Sequence, residues 1–206
     1  MDLVQTVALT MGAAWASGIN LYAAILMLGL MGATGHVVLP ADLAPLTHPL
    51  VIGAAGFMYC VEFFADKVPG VDTGWDALHT FLRIPAGAAL AAGAVGDVSV
   101  VAQVAAALVG GTLAAGVHAT KAGARVMINT SPEPVSNWVA SLSEDVAVFG
   151  GLWVCLNYPW AFVALLAVFV LVMAWLLPRI WRGVMVLART VGRWLGMVGE
   201  EKAPVG

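Results

Sequence analysis

The organisation of this chain is set by one polar segment, Glu62-Phe-Phe-Ala-Asp66-Lys67-Val-Pro69-Gly-Val-Asp72-Thr-Gly-Trp75. It ends an apolar run with the character of a membrane helix, yet it places two carboxylates one helical turn apart, then an ammonium group and a Pro-Gly turn. Charged groups at membrane depth are costly unless they pair with one another or line water. The segment therefore predicts a charged centre at the end of a membrane helix.

A related segment follows at a constant offset, Arg125-Val-Met-Ile-Asn129-Thr-Ser131-Pro132-Glu-Pro134-Val-Ser-Asn-Trp138. The offset that aligns Pro69 with Pro132 also aligns the two tryptophans. We interpret the chain as two related units, at about residues 49–97 and 112–158. This internal repeat is the basis for comparing the two polar segments.

The charges of the two units are complementary. Glu62 falls opposite Arg125, and Asp66 falls opposite Asn129. If a pseudo-two-fold axis relates the units, Glu62 and Arg125 occupy equivalent places and would pair near that axis. The repeat therefore predicts a centre of mixed charge rather than a purely acidic one.

The composition requires a lipid environment. Of the 206 residues, 61% are hydrophobic and 10% are charged, and the mean hydropathy is +0.93. A soluble domain is typically about half apolar and about a quarter charged, so this excess cannot be hidden in a soluble core. The net charge of −3 provides no basic face for nucleic acid. We expect a membrane protein that does not bind nucleic acid.

The apolar runs predict an all-α polytopic bundle with five or six crossings, because one span needs about 20 apolar residues. Residues 1–178 would form a single transmembrane domain. The first run is too long for one span and too short for two, and it is interrupted at Ser17 and Asn20. It is either a kinked helix or a half-helix followed by a full one that Ser17 caps. Pro85 and Ser131 are further candidates for helix breaks.

The carboxyl end has a different pattern. Beyond Pro178, polar and apolar residues recur so that a helix would have one polar and one apolar side. The polar side carries Arg179, Arg182, Arg189 and Arg193. This pattern is typical of a helix that lies in the membrane surface. We predict such a helix over residues 179–199 and a flexible tail over residues 200–206. The positive-inside rule places this end in the cytoplasm, which fits a multi-pass protein of the bacterial inner membrane.

Eight charged side chains lie in or beside the apolar runs, four of each sign: Glu62, Asp66, Glu144 and Asp145 against Lys67, Arg83, Lys121 and Arg125. Each would cost about 2.5–3.5 kcal/mol at a helix centre on insertion scales, so they must pair, reach the interface or line water. His79, His118 and Asn129 lie on the same helical runs and complete the candidates for a substrate or ion pathway. Structural locking of the helices and a polar pathway both fit this pattern.

The helix breaks allow two kinds of ligand. Freed helix N-termini favour anions, and with Arg83, Lys121 or Arg125 they would form an anion or lipid-phosphate site. The carboxylates at Glu62, Asp66, Glu144 and Asp145 would instead form a cation or proton path. The signs of the charges do not choose between these alternatives.

The sequence contains no motif of nucleophilic, nucleotide or metal chemistry. Cys60 and Cys155 lie in apolar runs without CxxC or Cys/His spacing, which is typical of buried thiols. We expect no catalytic residue, no metal and no cofactor. The sequence leaves an enzymatic activity undecided and favours its absence.

Six blocks of the sequence are distinctive: Ser17-Gly-Ile-Asn20-Leu-Tyr22, Glu62-Phe-Phe-Ala-Asp66-Lys67-Val-Pro69-Gly-Val-Asp72, Trp75-Asp-Ala-Leu-His79-Thr-Phe, Arg83-Ile-Pro85-Ala-Gly87, His118-Ala-Thr-Lys121 and Asn129-Thr-Ser131-Pro132-Glu-Pro134. Together they resemble the DUF4126 family of uncharacterised bacterial integral membrane proteins, over about residues 15–178. The resemblance implies an integral membrane protein. It implies no catalytic or binding residue.

Three hypotheses about function follow. The leading one is a small transporter or channel for a small ion or polar solute, working in the lipid bilayer as a homodimer, with its charged centre at broken helices. The alternative is a protein or enzyme that binds lipid or phosphate head groups. The third is a structural membrane partner with locked ion pairs. The first hypothesis predicts that five side chains face inward around a polar cavity: Glu62, Asp66, Arg83, Lys121 and Arg125.

Overall fold

The computed structural model describes residues 1–130 and 134–195, and every regular element in these ranges is a helix. The seven α-helices are α1 (Leu3–Ile19), α2 (Leu21–Ala33), α3 (Pro49–Ala65), α4 (Val71–Val95), α5 (Val100–Ile128), α6 (Pro134–Asn157) and α7 (Pro159–Trp194). A short 3-10 helix, Ala41–Thr47, precedes α3. The predicted all-α class is therefore confirmed for the described ranges. Ser131 and residues 196–206, including the predicted tail, lie outside them.

Four helices are long and apolar enough to cross a membrane, namely α4, α5, α6 and α7. The count becomes five if the 3-10 helix and α3, which meet at a bend of 67°, form one broken span. The apolar helices α1 and α2 are shorter, with 17 and 13 residues. These elements are those of a membrane-embedded protein, and the number of crossings stays a prediction.

The centre of the bundle is α1. Every residue from Ala8 to Ile19 except Met11 is buried, and α1 contacts α4, α5, α6 and α7. Trp15 packs edge-on against Phe162 of α7, with ring centroids 5.9 Å apart. A helix buried on all sides meets protein instead of lipid over this length. Polar backbone at its end is therefore enclosed by protein.

The first apolar run is interrupted at Asn20. Its backbone is extended (φ −147°), and its side-chain oxygen accepts a hydrogen bond from the Ala23 amide at 2.9 Å, which caps α2. The run is therefore broken, as in the second of the two predicted forms, but α2 has only 13 residues and is not the full-length helix expected after the break. The prediction that Ser17 is the cap is wrong, because Ser17 lies inside α1 and its hydroxyl donates to the Arg83 carbonyl at 3.0 Å.

The predicted break at Pro85 is also wrong. Pro85 lies inside α4, which continues from Val71 to Val95. Close packing against α5 supports α4 on this side, since a Cβ added at Gly110 would lie 2.3 Å from the Cβ of Ala91. Small residues let the two helix backbones approach. The helix therefore continues through Pro85, although the proline has no backbone N–H to donate to the preceding turn.

The last helix differs from its prediction as well. α7 is one helix of 36 residues that passes through Pro178, so the predicted separate helix at 179–199 is its continuation as far as Trp194. At about 1.5 Å per residue α7 is about 54 Å long. A hydrocarbon core is only about 30 Å thick, so a spanning α7 must extend beyond it.

Candidate functional site

The charged residues of the bundle meet in one buried cluster, at the end of α1 between α3, α4, α5 and α6. Every lysine and arginine up to residue 178 belongs to it, and all four are buried. Five acidic residues are buried with them, and a sixth, Glu144, has 20% of its side chain exposed. We call these ten residues the charge network: Glu62, Asp66, Lys67, Asp72, Asp76, Arg83, Lys121, Arg125, Glu144 and Asp145.

Arg83 connects three helices. Its Nη2 donates to Glu62 Oε1 on α3, and its Nη1 donates to Asp76 Oδ1 on α4 at 2.6 Å. The same Nη1 lies 3.1 Å from Nδ1 of His118 on α5. Arg83 and Glu62 are fully buried. A guanidinium group suits this position, because its planar fork of donors can serve several acceptors at once.

The contact with Arg83 fixes the tautomer of His118. A guanidinium group can only donate, so Nδ1 of His118 accepts and the ring proton lies on Nε2. Nε2 then donates to the Thr80 hydroxyl at 2.8 Å, and this hydroxyl donates to the Asp76 carbonyl at 3.0 Å. His118 is therefore a neutral bridge between α4 and α5 and contributes no positive charge.

Lys121 lies where the broken helix meets the charges. Its ammonium nitrogen is 2.9 Å from Asp66 Oδ2, 3.2 Å from Glu144 Oε2, and 3.6 Å from both Glu62 and Asp76. It also donates to the Ile19 carbonyl at 3.1 Å. The last carbonyls of a helix lack intrahelical donors, and α1 ends at Ile19. Lys121 therefore binds both the carboxylates and the end of α1.

Arg125 holds α6 against the turn between α3 and α4. Its guanidinium group contacts Glu144 through two bonds, of 2.7 and 3.3 Å, and donates to the Asp66 and Asn137 carbonyls at 3.0 and 3.3 Å. The expected pairing of Arg125 with Glu62 is wrong, since no such contact occurs among the described residues. Glu62 is paired with Arg83 instead. Arg125 pairs with Glu144, whose two carboxylate oxygens accept two N–H groups of the same guanidinium group.

Asp72 stabilises the start of α4. Its Oδ1 accepts from the amides of Gly70 and Thr73 at 2.9 and 2.6 Å, and from the side-chain amide of Asn129 at 2.8 Å. Asn129 in turn accepts a bond from Asn137 at 2.7 Å. Gly70 itself has φ +84°, which favours glycine at this turn. Asn129 therefore links the second polar segment to the first.

Asp72 and Asp76 were missed by the sequence reasoning, although a signal for them exists. Asp72, Asp76, His79 and Arg83 are spaced four, three and four residues apart, which places them on one side of a helix. The same kind of spacing marks His118, Lys121, Arg125 and Asn129 on α5. The two stripes face each other across the closely packed pair of α4 and α5.

Lys67 lies in the turn after α3. Its ammonium group donates to the Phe63 carbonyl at 2.9 Å and to the Ser141 hydroxyl at 3.1 Å, and it lies over the Phe63 ring. Burial lowers the pKa of Lys67, while Asp145 and Asp66 act to raise it. Lys67 thus lies at the edge of the network beside α6.

His79 lies outside the charge network. Its Nδ1 lies 2.9 Å from the Trp75 carbonyl, an acceptor, so Nδ1 carries the proton and Nε2 accepts from the Tyr22 hydroxyl at 3.0 Å. The imidazole also stacks on the Trp75 ring, with centroids 4.2 Å apart. These contacts make His79 a packing residue between α2 and α4.

The five residues predicted to face inward around a polar cavity are buried, but they pair directly with one another instead of surrounding such a cavity. Two apolar cavities, of about 310 and 320 Å³, are lined by residues outside the network; Trp15 and Phe162 line the first and Tyr22 and Leu50 the second. Within the described ranges, no group of three or more His, Cys, Asp or Glu side chains could hold a metal ion. The site is therefore a closed cluster of ion pairs.

The fold and this cluster define a helical membrane protein with a buried charge network. A family model described as "Domain of unknown function (DUF4126)" matches residues 7–179, and the chain belongs to this family. No curated protein and no solved structure matches the chain. The matched residues include all ten members of the charge network.

Proposed function

We propose that the protein is a small membrane transporter or channel that moves a small ion or polar solute through the charge network. The observation that supports this most is the position of Lys121, which is bound both by four carboxylates and by the carbonyl end of the interrupted helix α1. Transporters commonly bind their substrates at interrupted helices near the middle of the membrane, where free backbone groups meet charged side chains. In this proposal the closed cluster is an occluded state of the pathway.

The internal repeat is part of the proposal. α3 ends at Ala65 and α5 at Ile128, while α4 begins at Val71 and α6 at Pro134. The two helix ends are as far apart in the sequence as the two helix starts, and this distance equals the offset between the two polar segments. Repeats of this kind allow one half of a transporter to move against the other around a fixed site.

The setting of the protein is proposed on sequence grounds. The arginines beyond Pro178 support a carboxyl end on the cytoplasmic side of a bacterial inner membrane. A homodimer is the proposed assembly. The Gly- and Ala-rich faces of α4 and α5 pack on each other within one chain, so a second copy would use other surfaces.

The two other hypotheses are less well supported. A phosphate bound at Arg83, Lys121 and Arg125 would have to displace the carboxylates that these groups already contact. A purely structural role fits the closed ion pairs. It does not explain why the pairs gather at the end of an interrupted helix, where each buried charge has a desolvation cost.

The test is ion and solute flux in liposomes that contain the purified protein. Glu62→Gln and Arg125→Gln should each reduce the flux at least tenfold, whereas Arg179→Gln, outside the network, should leave it unchanged. A panel of small cations, small anions and phosphates identifies the solute. Absence of flux for every solute would contradict the proposal. Recovery of stability in the Glu62→Gln/Arg83→Gln double variant, again without flux, would support the structural role.

A further inference from the structure

The charge network contains more carboxylates than positive charges. Six acidic residues, Glu144 included, face four lysines and arginines, and His118 does not reduce the difference because it is neutral. Asp72 depends little on its one basic contact, Arg125 at 3.9 Å from Oδ2, since three N–H donors serve its Oδ1 at the first turn of α4. Such a position favours an anion. One carboxylate therefore remains to be compensated.

Asp145 is the carboxylate that lacks the contacts of the others. It is 8% exposed, and no basic group of the described residues lies within 4.0 Å of it. Its Oδ2 has no hydrogen-bond partner in the described part of the chain, and the same is true of one oxygen in each of Glu62, Asp66, Asp72 and Asp76. The absence of a basic group nearby in the described ranges is therefore what distinguishes Asp145. The adjacent residue, Glu144, forms ion pairs with both Arg125 and Lys121. The side chain of Tyr59 hydrogen-bonds to Asp145, but no basic side chain of the described residues pairs with it. A buried carboxylate without a basic partner is much less costly when it is neutral.

We propose that Asp145 holds an exchangeable proton and that the proton is the ion which the charge network handles. Hard cations such as Ca²⁺ and Mg²⁺ require about six or more converging oxygen ligands, whereas a proton requires one oxygen. The described residues offer no group of three or more side chains for a metal ion. The site therefore fits a proton and not a metal cation. The translocation of this proton rests on the proposed function; its presence on Asp145 does not.

The groups around Asp145 indicate what proton release would do. Lys67, Asp66, Lys121 and Glu144 act on it electrostatically, and Tyr59 lies beside it on α3. Of the other helices that pack on α6, α1 carries no titratable side chain, α2 carries only Tyr22, and α7 carries only arginines beyond Pro178. When the carboxyl group dissociates into a carboxylate and a proton, it gains a charge that competes with Glu144 for Lys121.

Lys67 is the other cation within reach of this change. Its ammonium group is bonded to Ser141, one turn before Asp145 on α6. Ionised Asp145 would attract Lys67 away from the Phe63 carbonyl on α3. Loss of the proton would therefore alter contacts of α6 with both α3 and α5. This links the protonation state of one side chain to the packing of three helices.

Infrared spectroscopy of the purified protein tests the proton site. The wild-type protein at neutral pH should show a carbonyl-stretch band of a protonated carboxylic acid, which disappears at alkaline pH. Asp145→Asn should remove this band, and Asp97→Asn, at an exposed position outside the network, should retain it, with the fold of both variants checked by circular dichroism. A wild-type spectrum without the band, or a band that persists in Asp145→Asn, would overturn the assignment. So would a rise in melting temperature on addition of Na⁺, K⁺ or Ca²⁺.

Proton flux in liposomes separates this inference from the proposed function. Wild-type flux driven by a pH gradient should fall at least tenfold in Asp145→Asn. If the infrared band behaves as expected and no flux occurs, the proton site stands and the transport proposal fails. If Asp145→Asn transports protons at the wild-type rate, transport stands and the role of Asp145 is wrong.

Discussion

Arg83 shows how much of this bundle depends on one buried side chain. Its guanidinium group joins carboxylates of α3 and α4 and the imidazole of α5, while its own carbonyl accepts the hydroxyl of Ser17 on α1. Removing one partner of a buried ion pair is far more costly than exchanging both for apolar groups, because a charge is left without compensation. At Arg83 two carboxylates, Glu62 and Asp76, would lose their closest partner at once and keep only Lys121 of the described basic groups, 3.6 Å from each.

We predict that Arg83→Gln lowers the free energy of unfolding by about 3–5 kcal/mol, the usual cost of breaking a buried pair. Arg83→Lys should recover only part of this loss, since one ammonium group cannot hold Glu62, Asp76 and His118 together. Thermal and denaturant unfolding in detergent measure both variants. Arg182→Gln, an exposed arginine of α7, is the matched control and should unfold like the wild type. Equal stability of Arg83→Gln and the control would show that the network contributes nothing to folding.

The sequence predicted the membership of the charged centre better than its pairing. The inward position of Arg83, Lys121 and Arg125 follows from the cost of isolated charges in an apolar run. Their ion-pair partners cannot be derived in the same way. The repeat predicted that Glu62 pairs with Arg125, whereas in the structure Glu62 pairs with Arg83. Choice among several carboxylates depends on differences of less than an ångström in how helices pack, which sequence spacing does not contain.

Among the helices, the pair α4 and α5 is the most closely packed, and small residues make this possible. Added Cβ atoms at Gly87 and Gly110 would lie 2.5 Å from Ala114 and 2.3 Å from Ala91. Both distances are shorter than any van der Waals contact, so a methyl group at either position requires the helices to separate. The charged stripes of the two helices lie on the same packed pair and depend on this approach.

We predict that Gly110→Ala destabilises the protein by about 1–3 kcal/mol, the usual cost of overpacking. Gly150→Ala on α6 is the matched control, because an added Cβ there meets nothing within 4 Å. The control should be neutral or slightly stabilising, since alanine loses less backbone freedom than glycine in a helix. Unfolding midpoints in detergent measure the difference. A stabilising Gly110→Ala would contradict the close approach of α4 and α5.

A helix interruption could be predicted from the sequence only where a residue's own side chain caps the next helix and no tertiary contact competes for it. Asn20 carries its own capping group and ends α1 as expected. Ser17 offered the same chemistry, but the Arg83 carbonyl takes its hydroxyl. Pro85 lacks a backbone donor and still lies within a continuous helix, because α5 holds α4 in place. Tertiary contacts decided the last two cases, and a single sequence contains no record of them.

At the scale of the whole molecule, the length of α7 relates the bundle to the bilayer. About 20 residues span a hydrocarbon core of about 30 Å. A span that begins at Pro159 therefore ends near Pro178, directly before the first of four arginines. Arg179 lies over the Trp175 ring, 3.8 Å from its centroid, as is usual for an aromatic and a basic residue at a membrane interface. If α7 spans from Pro159, the rest of the helix, as far as Trp194, lies outside the core.

We predict that the two halves of α7 differ in their access to water. In a variant with Cys60→Ala and Cys155→Ala, a membrane-impermeant maleimide should modify Trp194→Cys in inside-out vesicles and leave Leu171→Cys unmodified. Both side chains are exposed on the chain, so lipid and not protein contact accounts for the difference. Right-side-out vesicles should give no reaction at either position, because the positive-inside rule predicts a cytoplasmic location for this arginine-rich end. Modification of Trp194→Cys from the outer side would reverse the orientation, and equal modification of both positions would place α7 outside the hydrocarbon core.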